Sequence, residues 1–342
     1  MSTDGSKVYL AFGPRVLAYD TETESQSWIF PAEGDSVQFF SAPSAAEGQV
    51  VFGDYGQAGG FLSPRVTVSI YSVENVDTGT PPQLWTNSES ATDKIVAPPL
   101  QVGDQVFIGT ADNVIMALDA ADGTQNWSFE TGHAVWGRPA YRDGILYVSS
   151  MDWSVYALDA ETGELVWNTQ LGGALASGPL LGDELLYVSS FDGNVHALEI
   201  SSGEARWAAP ATDWVWGTPA LAENVIYYSD IAGNIFAADA TTGEQIWTLA
   251  TDSAIQSSPV VMGDVLYIAA QATADIPTGT LTAYSTLDGS QVWQQTTPVP
   301  LYATPVVVGD DTIVAGLQNA DSLLIGYDLA TGQELWRYSL PG

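Results

Sequence analysis

The sequence predicts an all-β fold: an eight-bladed β-propeller of four-stranded antiparallel blades. Three observations carry that reading. A tryptophan recurs eight times, at Trp28, Trp85, Trp127, Trp167, Trp207, Trp247, Trp293 and Trp336, with three successive central intervals of 40 residues. A marker proline, in most units after a small residue, recurs at Pro43, Pro98, Pro139, Pro179, Pro219, Pro259 and Pro305. Between the markers the chain is rich in Val, Ile, Tyr and Thr and shows no 3.6-residue period, which argues against a helical solenoid.

Each unit divides into four short strands. In the unit that begins near Ser177, the first strand surrounds Pro179 and Gly182-Asp183 turns the chain. Residues 185–189 form the second strand, and Asp192-Gly193-Asn194 is a hairpin signal. Residues 195–200 form the third strand, Ser201-Ser202-Gly203 turns again, and residues 205–208 carry Trp207 in the fourth. Proline is tolerated in the first strand if that position needs no ladder donor, as on the innermost edge of a blade. A lone four-stranded sheet cannot bury both faces, and radial stacking does so while leaving short edges. The repeated tryptophan is the expected filler between blades, contributing roughly 4 to 6 kcal/mol of gross hydrophobic stabilisation.

The expected domain is single, with blades near 1–31, 37–88, 94–130, 134–170, 174–210, 214–250, 254–296 and 300–342. Eight tryptophans stand against seven marker prolines, and Lys7-Val8-Tyr9-Leu10 already matches a second strand. The first blade is therefore expected to lack its innermost strand, and the natural protein to extend beyond this chain.

The net charge of −33 arises from 41 acids against only 8 bases. Such a surface repels phosphate backbones, which excludes nucleic acid as a partner, and it disfavours anionic membrane surfaces. The chain has no cysteine, so disulfides, thiolate metal sites and cysteine catalysis are excluded. No apolar run is long enough to insert in a membrane as a helix. Met1-Ser2-Thr3-Asp4-Gly5 does not read as a signal peptide.

The words Ala-x-Asp-x-x-Thr-Gly-x-x-x-Trp, at Ala157 to Trp167 and Ala237 to Trp247, resemble the quinoprotein-like (pyrroloquinoline quinone) repeat of one β-propeller family. So does the run from Gly182 to Ser190. One branch of that family holds quinone-dependent dehydrogenases, which clamp their cofactor with a vicinal Cys pair, a Trp platform and a Ca²⁺ site. The other holds cofactor-free scaffolds, the BamB-like lipoproteins of outer-membrane protein assembly. Without cysteine, and with no compact Glu, Asn and Asp set to carry over, the resemblance implies the BamB-like branch. That branch in turn implies a non-catalytic scaffold with no cofactor and a protein or peptide partner. It would be periplasmic or at the cell surface, its targeting segment absent from this chain. Two alternatives stand beside it: a pyrroloquinoline quinone-dependent dehydrogenase, and the sensor or adhesion ectodomain of a larger surface protein.

Propeller geometry puts the links between blades and the second-to-third-strand hairpins on one face, here called the top. Three residues before each marker proline stand Phe40, Ile95, Trp136, Ala176, Trp216, Gln256 and Tyr302. Trp214 precedes Trp216 by two residues, and Trp153 lies in a hairpin. Phe40, Trp136, Trp153, Trp214, Trp216 and Tyr302, among acids such as Asp93, Asp152 and Asp213, are the candidate protein-binding residues, since aromatic anchors with a polar rim suit peptide recognition. The competing reading is that these rings only plug the centre. Longer hairpins at 54–65, 271–279 and 318–322 are expected to cluster on one side of this face. Asp119, Asp159, Asp239 and Asp328 read as turn residues and not as catalytic carboxylates. His133 and His196 share no partner set that would suggest a metal site, and Gly56 to Gly60 lack the Lys and Ser/Thr of a phosphate loop.

Overall fold

The computed structural model describes residues 1–31, 37–56, 68–272, 278–319 and 322–340. Much of each long hairpin, at 54–65, 271–279 and 318–322, lies outside the described residues, as does most of 56–60. The chain divides into two compact units, Met1–Gln170 and Leu171–Gly342, with four antiparallel sheets in each. The described residues contain no helix, and the eight sheets are the blades of an eight-bladed β-propeller. Blade 4 shows the pattern: Ala140–Arg142, Ile145–Ser149, Ser154–Asp159 and Leu165–Gln170, each strand paired with the next.

The marker proline sits immediately before the innermost strand, as Pro139 does before Ala140–Arg142 and Pro219 before Ala220–Ala222. There its missing N–H removes no ladder bond. In blade 3 the innermost strand is Leu100–Val102, so the marker is Pro99 and not Pro98. The position three residues earlier is therefore Val96. Ile95 belongs to a different series, Phe39, Ile95, Val135, Leu175, Val215, Ile255 and Leu301, in which every side chain is buried.

The first blade is complete. Ser2–Thr3 pairs with Lys7–Phe12, so the expected absence of an innermost strand is overturned. The register matches the other blades: Ser2 faces Tyr9 as Ala140 faces Tyr147 and Ala220 faces Tyr227. Met1 occupies the proline position. Two residues are too few to carry a hydrophobic pattern, so tertiary contacts supply what local sequence does not announce. Ser2 Oγ donates to Pro43 O at 2.5 Å, Tyr9 Oη to Asp4 Oδ2 at 2.5 Å, and Asn75 Nδ2 to Tyr9 Oη at 2.7 Å. Buried Lys7 reaches Asp77 Oδ1 at 2.7 Å. Blade 7 departs in the opposite sense. Its inner edge is split between Ser253–Ala254 and Val260–Met262, making a five-stranded sheet.

The repeated words acquire a physical reason. In every blade the tryptophan faces a small residue across the third-to-fourth-strand ladder: Ala18, Ser72, Ala117, Ala157, Ala197, Ala237, Ala283 or Gly326. A β-bulge follows directly and increases the local twist. The turn glycine receives the preceding blade's indole. A Cβ on Gly123 would stand 2.5 Å from Trp85, and one on Gly243 would stand 2.8 Å from Trp207. The indole N–H then caps the turn: Trp85 Nε1 donates to Ala120 O at 2.8 Å, Trp127 to Ala160 O at 3.0 Å, Trp247 to Thr286 O at 3.0 Å and Trp293 to Leu329 O at 2.9 Å.

The small residues before the proline serve a second join, at the inner edge. A Cβ on Gly217 would stand 2.6 Å from Ser257 O, so the backbones of blades 6 and 7 approach too closely for a side chain. Hydroxyls tie the edges together: Thr218 Oγ1 to Gly178 O at 3.2 Å, Thr218 N–H to Ser258 Oγ at 3.0 Å, and Ser258 N–H to Thr304 Oγ1 at 2.9 Å.

Candidate functional site

At the top of blades 2 to 6, a link and a hairpin are locked by backbone hydrogen bonds. The hairpin N–H groups of Tyr55, Ala111, Met151, Phe191 and Ile231 donate to the link carbonyls of Gln38, Lys94, Ala134, Ala174 and Trp214. From the other side, the N–H groups of Ile95, Val135 and Val215 donate back to the previous hairpin at Asp54, Thr110 and Ser190. The buried series anchors each link from below. Alternation along the extended backbone then turns its neighbours, such as Phe40, Trp214 and Trp216, away from the core. The geometry of the fold thus holds aromatic rings at the surface on rigid backbone.

In the second unit, Trp214 and Trp216 are brought together by Phe191. The Phe191 ring stacks on Trp214 at 4.9 Å and 11°, and meets Trp216 at 5.1 Å and 34°. Trp214 keeps 47% of its surface exposed, whereas Trp216 is half-buried. Three carboxylates pin the backbone beneath the rings. Asp213 Oδ1 accepts from Trp214 N–H at 2.8 Å, and Asp230 Oδ2 accepts from Thr212 N–H at 3.1 Å and Thr212 Oγ1 at 2.5 Å. Asp192 accepts from Asn194 N–H at 3.0 Å and lies 2.8 Å from His196 Nε2. Burial opposes ionisation of Asp192, but Asn194 and His196 outweigh it and hold the carboxyl below its usual range. Asp230 is held low in the same way, burial being outweighed by Thr212 and Asn234.

In the first unit, Phe40 packs edge-on against Tyr55 at 4.9 Å, and Lys94 Nζ lies 4.6 Å from the centre of the Tyr55 ring. Asp54, beside it, is fully buried and accepts from Gly56 N–H, Ser69 N–H and Tyr71 Oη. Burial nonetheless pushes its pKa up. Trp153 is exposed and takes a positive φ of 76°. Tyr302 is exposed and Trp136 half-buried. Trp136, Trp153 and Tyr302 enter no ring pair among the described residues. Of the six residues predicted from sequence, the structure therefore brings together Trp214 and Trp216.

Sequence reasoning missed Phe191, which makes the shelf, and Tyr55 with Lys94. The signal was present. Phe191 and Tyr55 hold the same repeat position, the hairpin residue whose N–H donates to the link carbonyl, and aligning the hairpins instead of the links would have found them. His133 and His196 are not brought to a common site. Among the described residues no group of three or more His, Asp or Glu is placed to hold a metal ion. Asp159 accepts from Glu161 N–H, Thr162 N–H and Thr162 Oγ1, as a turn residue does.

The family model described as outer membrane protein assembly factor BamB matches residues 73–135, 131–214 and 192–342. The chain belongs to this family. The crystal structure of BamB from Moraxella catarrhalis is similar, with a TM-score of 0.73 and 19% identity, covering 93% of this chain and 95% of that one. The crystal structure of the computationally designed Ika8 protein is also similar, with a TM-score of 0.72 and 15% identity, covering 90% and 88%. Likenesses at these identities show the shared fold alone, and a designed propeller beside BamB underlines that fold does not assign function. The comparison with curated proteins finds no match.

Proposed function

We propose that this BamB-family chain is a non-catalytic interaction scaffold that acts outside the cytoplasm, in outer-membrane protein assembly, and engages a protein or peptide through its top face. The observation that carries the reading is the Trp214–Phe191–Trp216 shelf. Large rings are held half-exposed on backbone locked from both sides, so little side-chain entropy is lost when a partner covers them. Phe40, Trp136, Trp153 and Tyr302 supply further aromatic contact at the same end of their blades. The surrounding acids and the net charge of −33 favour a neutral or basic partner. Membership of the BamB family supports both the partner class and the periplasmic or surface location.

The test uses the chain as bait for cell-envelope proteins of its host, comparing wild type with Trp214→Ala/Trp216→Ala. Selective loss of a captured protein by the double variant, with an unchanged melting temperature, is the expected result. An identical captured set would remove the top-face reading. Titration with pyrroloquinoline quinone and Ca²⁺ addresses catalysis, and saturable tryptophan quenching would overturn the cofactor-free assignment.

A further inference from the structure

The joint between blades 6 and 7, within the second unit, is filled differently from the others. In each blade, the residue just before the small partner of the tryptophan turns toward the preceding blade. Seven occupants of that position are bulkier than threonine, among them Tyr71, Tyr156 and Phe236, and the eighth is Thr282. At two joints this side chain meets a ring: Tyr71 lies 5.5 Å from Phe30, and Tyr156 lies 5.5 Å from Phe129. Phe30 and Phe129 each stand two residues after a tryptophan, and the same position in blade 6 is Leu249. Where those joints set ring against ring, this one sets Leu249 against Thr282. Space is left over: both residues line a cavity of about 330 Å³.

The walls of the cavity are mixed. Buried Ile255 and Ile268 give it apolar surface. Thr282 and Tyr284 face it from the third strand, whereas Leu281 and Ala283, which alternate with them, pack on the other side against blade 8. Thr282 is only 3% exposed and Tyr284 6%. Burial raises the Tyr284 phenol, and the Thr282 hydroxyl beside it acts the other way. Among the described residues neither hydroxyl is taken up by a backbone group. Tyr187 and Tyr267, by contrast, donate to Ala240 O and Leu329 O at 3.0 Å. Gln294 lines the cavity from its exposed side. Asp252 is the one charged residue in the lining, and it already has a partner.

We propose that the cavity between blades 6 and 7 binds a neutral aromatic ring bearing a hydroxyl, a phenol, which takes the place that rings of the chain itself hold at other joints. Its volume falls within the range of ligand pockets, about 300 to 1,000 Å³, and leaves room for what carries the ring. Leu249, Ile255 and Ile268 offer apolar surface to the ring, and the phenol O–H needs a polar partner once it is buried. The Thr282 and Tyr284 hydroxyls can each donate or accept. A charged ring is disfavoured, because these walls would desolvate it without a counter-charge. The phenol can be a free molecule or the tyrosine side chain of a peptide. The inference is independent of the aromatic shelf, whose residues are separate.

The test is isothermal titration of the full chain with p-cresol, toluene and N-acetyltyrosinamide. The expected result is saturable binding of p-cresol with a Kd on the order of 1 mM, as suits so small a ligand. Toluene, which lacks the hydroxyl, is expected to bind several-fold more weakly. Thr282→Phe supplies the ring that Phe236 provides one blade earlier, and is expected to abolish binding while the melting temperature holds or rises. Thr282→Val keeps the shape without the hydroxyl, and is expected to narrow the preference for p-cresol over toluene. Tighter binding of N-acetyltyrosinamide than of p-cresol assigns the source to a peptide side chain, and the reverse assigns it to a free phenol. No saturable binding of p-cresol by wild type up to about 10 mM, equal affinity in wild type and Thr282→Phe, or toluene binding as tightly as p-cresol overturns the proposal.

Discussion

Gly163 lies directly against the Trp127 indole: a Cβ built on Gly163 would stand 2.6 Å from Trp127 Cδ2, and the glycine has a φ of 74°. Two demands therefore meet at one residue, a left-handed backbone and room for the ring of the preceding blade. Gly144 has a similar φ of 83° but nothing within 4 Å of its notional Cβ. Comparing the two separates the demands. Gly144→Ala should lose about 1 to 2 kcal/mol from backbone strain. Gly163→Ala should lose that and roughly 1 to 3 kcal/mol more from overpacking. Equal losses in urea denaturation would show that the turn glycine does not serve the joint between blades.

The other half of that joint is Trp127 itself, largely buried and bonded to Ala160 O. Trp127→Ala should destabilise by about 3 to 5 kcal/mol through the cavity it leaves. Trp127→Phe retains much of the packing and loses the hydrogen bond, worth about 1 kcal/mol, together with part of the ring's volume. A loss under about 1 kcal/mol for the alanine variant is incompatible with an indole that fills the space between blades.

The shelf predicts a separation of binding from stability. Trp214 is half-exposed, so Trp214→Ala should change stability by less than about 1 kcal/mol while weakening partner capture. Phe191→Ala removes the ring on which both tryptophans rest and should raise the acrylamide quenching of their fluorescence. Unchanged quenching would mean that the stack is not what holds them.

Acid should weaken the fold through the turn carboxylates. Asp20, Asp159 and Asp328 are each held below the ordinary aspartate range by N–H and hydroxyl donors of the following turn. A carboxyl depressed in the folded state contributes stability that is complete above its unfolded pKa, near 3.8, and is lost as pH falls through the lower folded value. Asp192 adds to the same trend, and Asp54, raised by burial, acts against it. Urea midpoints should therefore be flat from neutrality to about pH 5 and fall below pH 4. Asp159→Asn/Asp328→Asn should be less stable than wild type at pH 7 and show a shallower fall in acid. Parallel pH curves would assign the acid sensitivity elsewhere.

The chain's own pattern determined the propeller, its blade number and the place of the tryptophans, because the same local requirement recurs at a regular interval. A Trp needs a small partner across the ladder and a glycine on the next turn, and repetition makes such needs readable. Single events were not readable in that way. The Ser2–Thr3 strand has two residues and no proline; it is held by its pairing with Val8 and Tyr9 and by the bond from Ser2 to Pro43, while Tyr9 and Asn75 fix Asp4 beside it. Adjacent prolines at 98 and 99 left the register open, and only pairing in blade 3 assigned Ile95 to the core. The shelf required knowing that a hairpin residue, Phe191, reaches two rings more than twenty positions along the chain. Periodic burial is written along the chain, whereas which side chains meet across blades depends on how the backbones close in space.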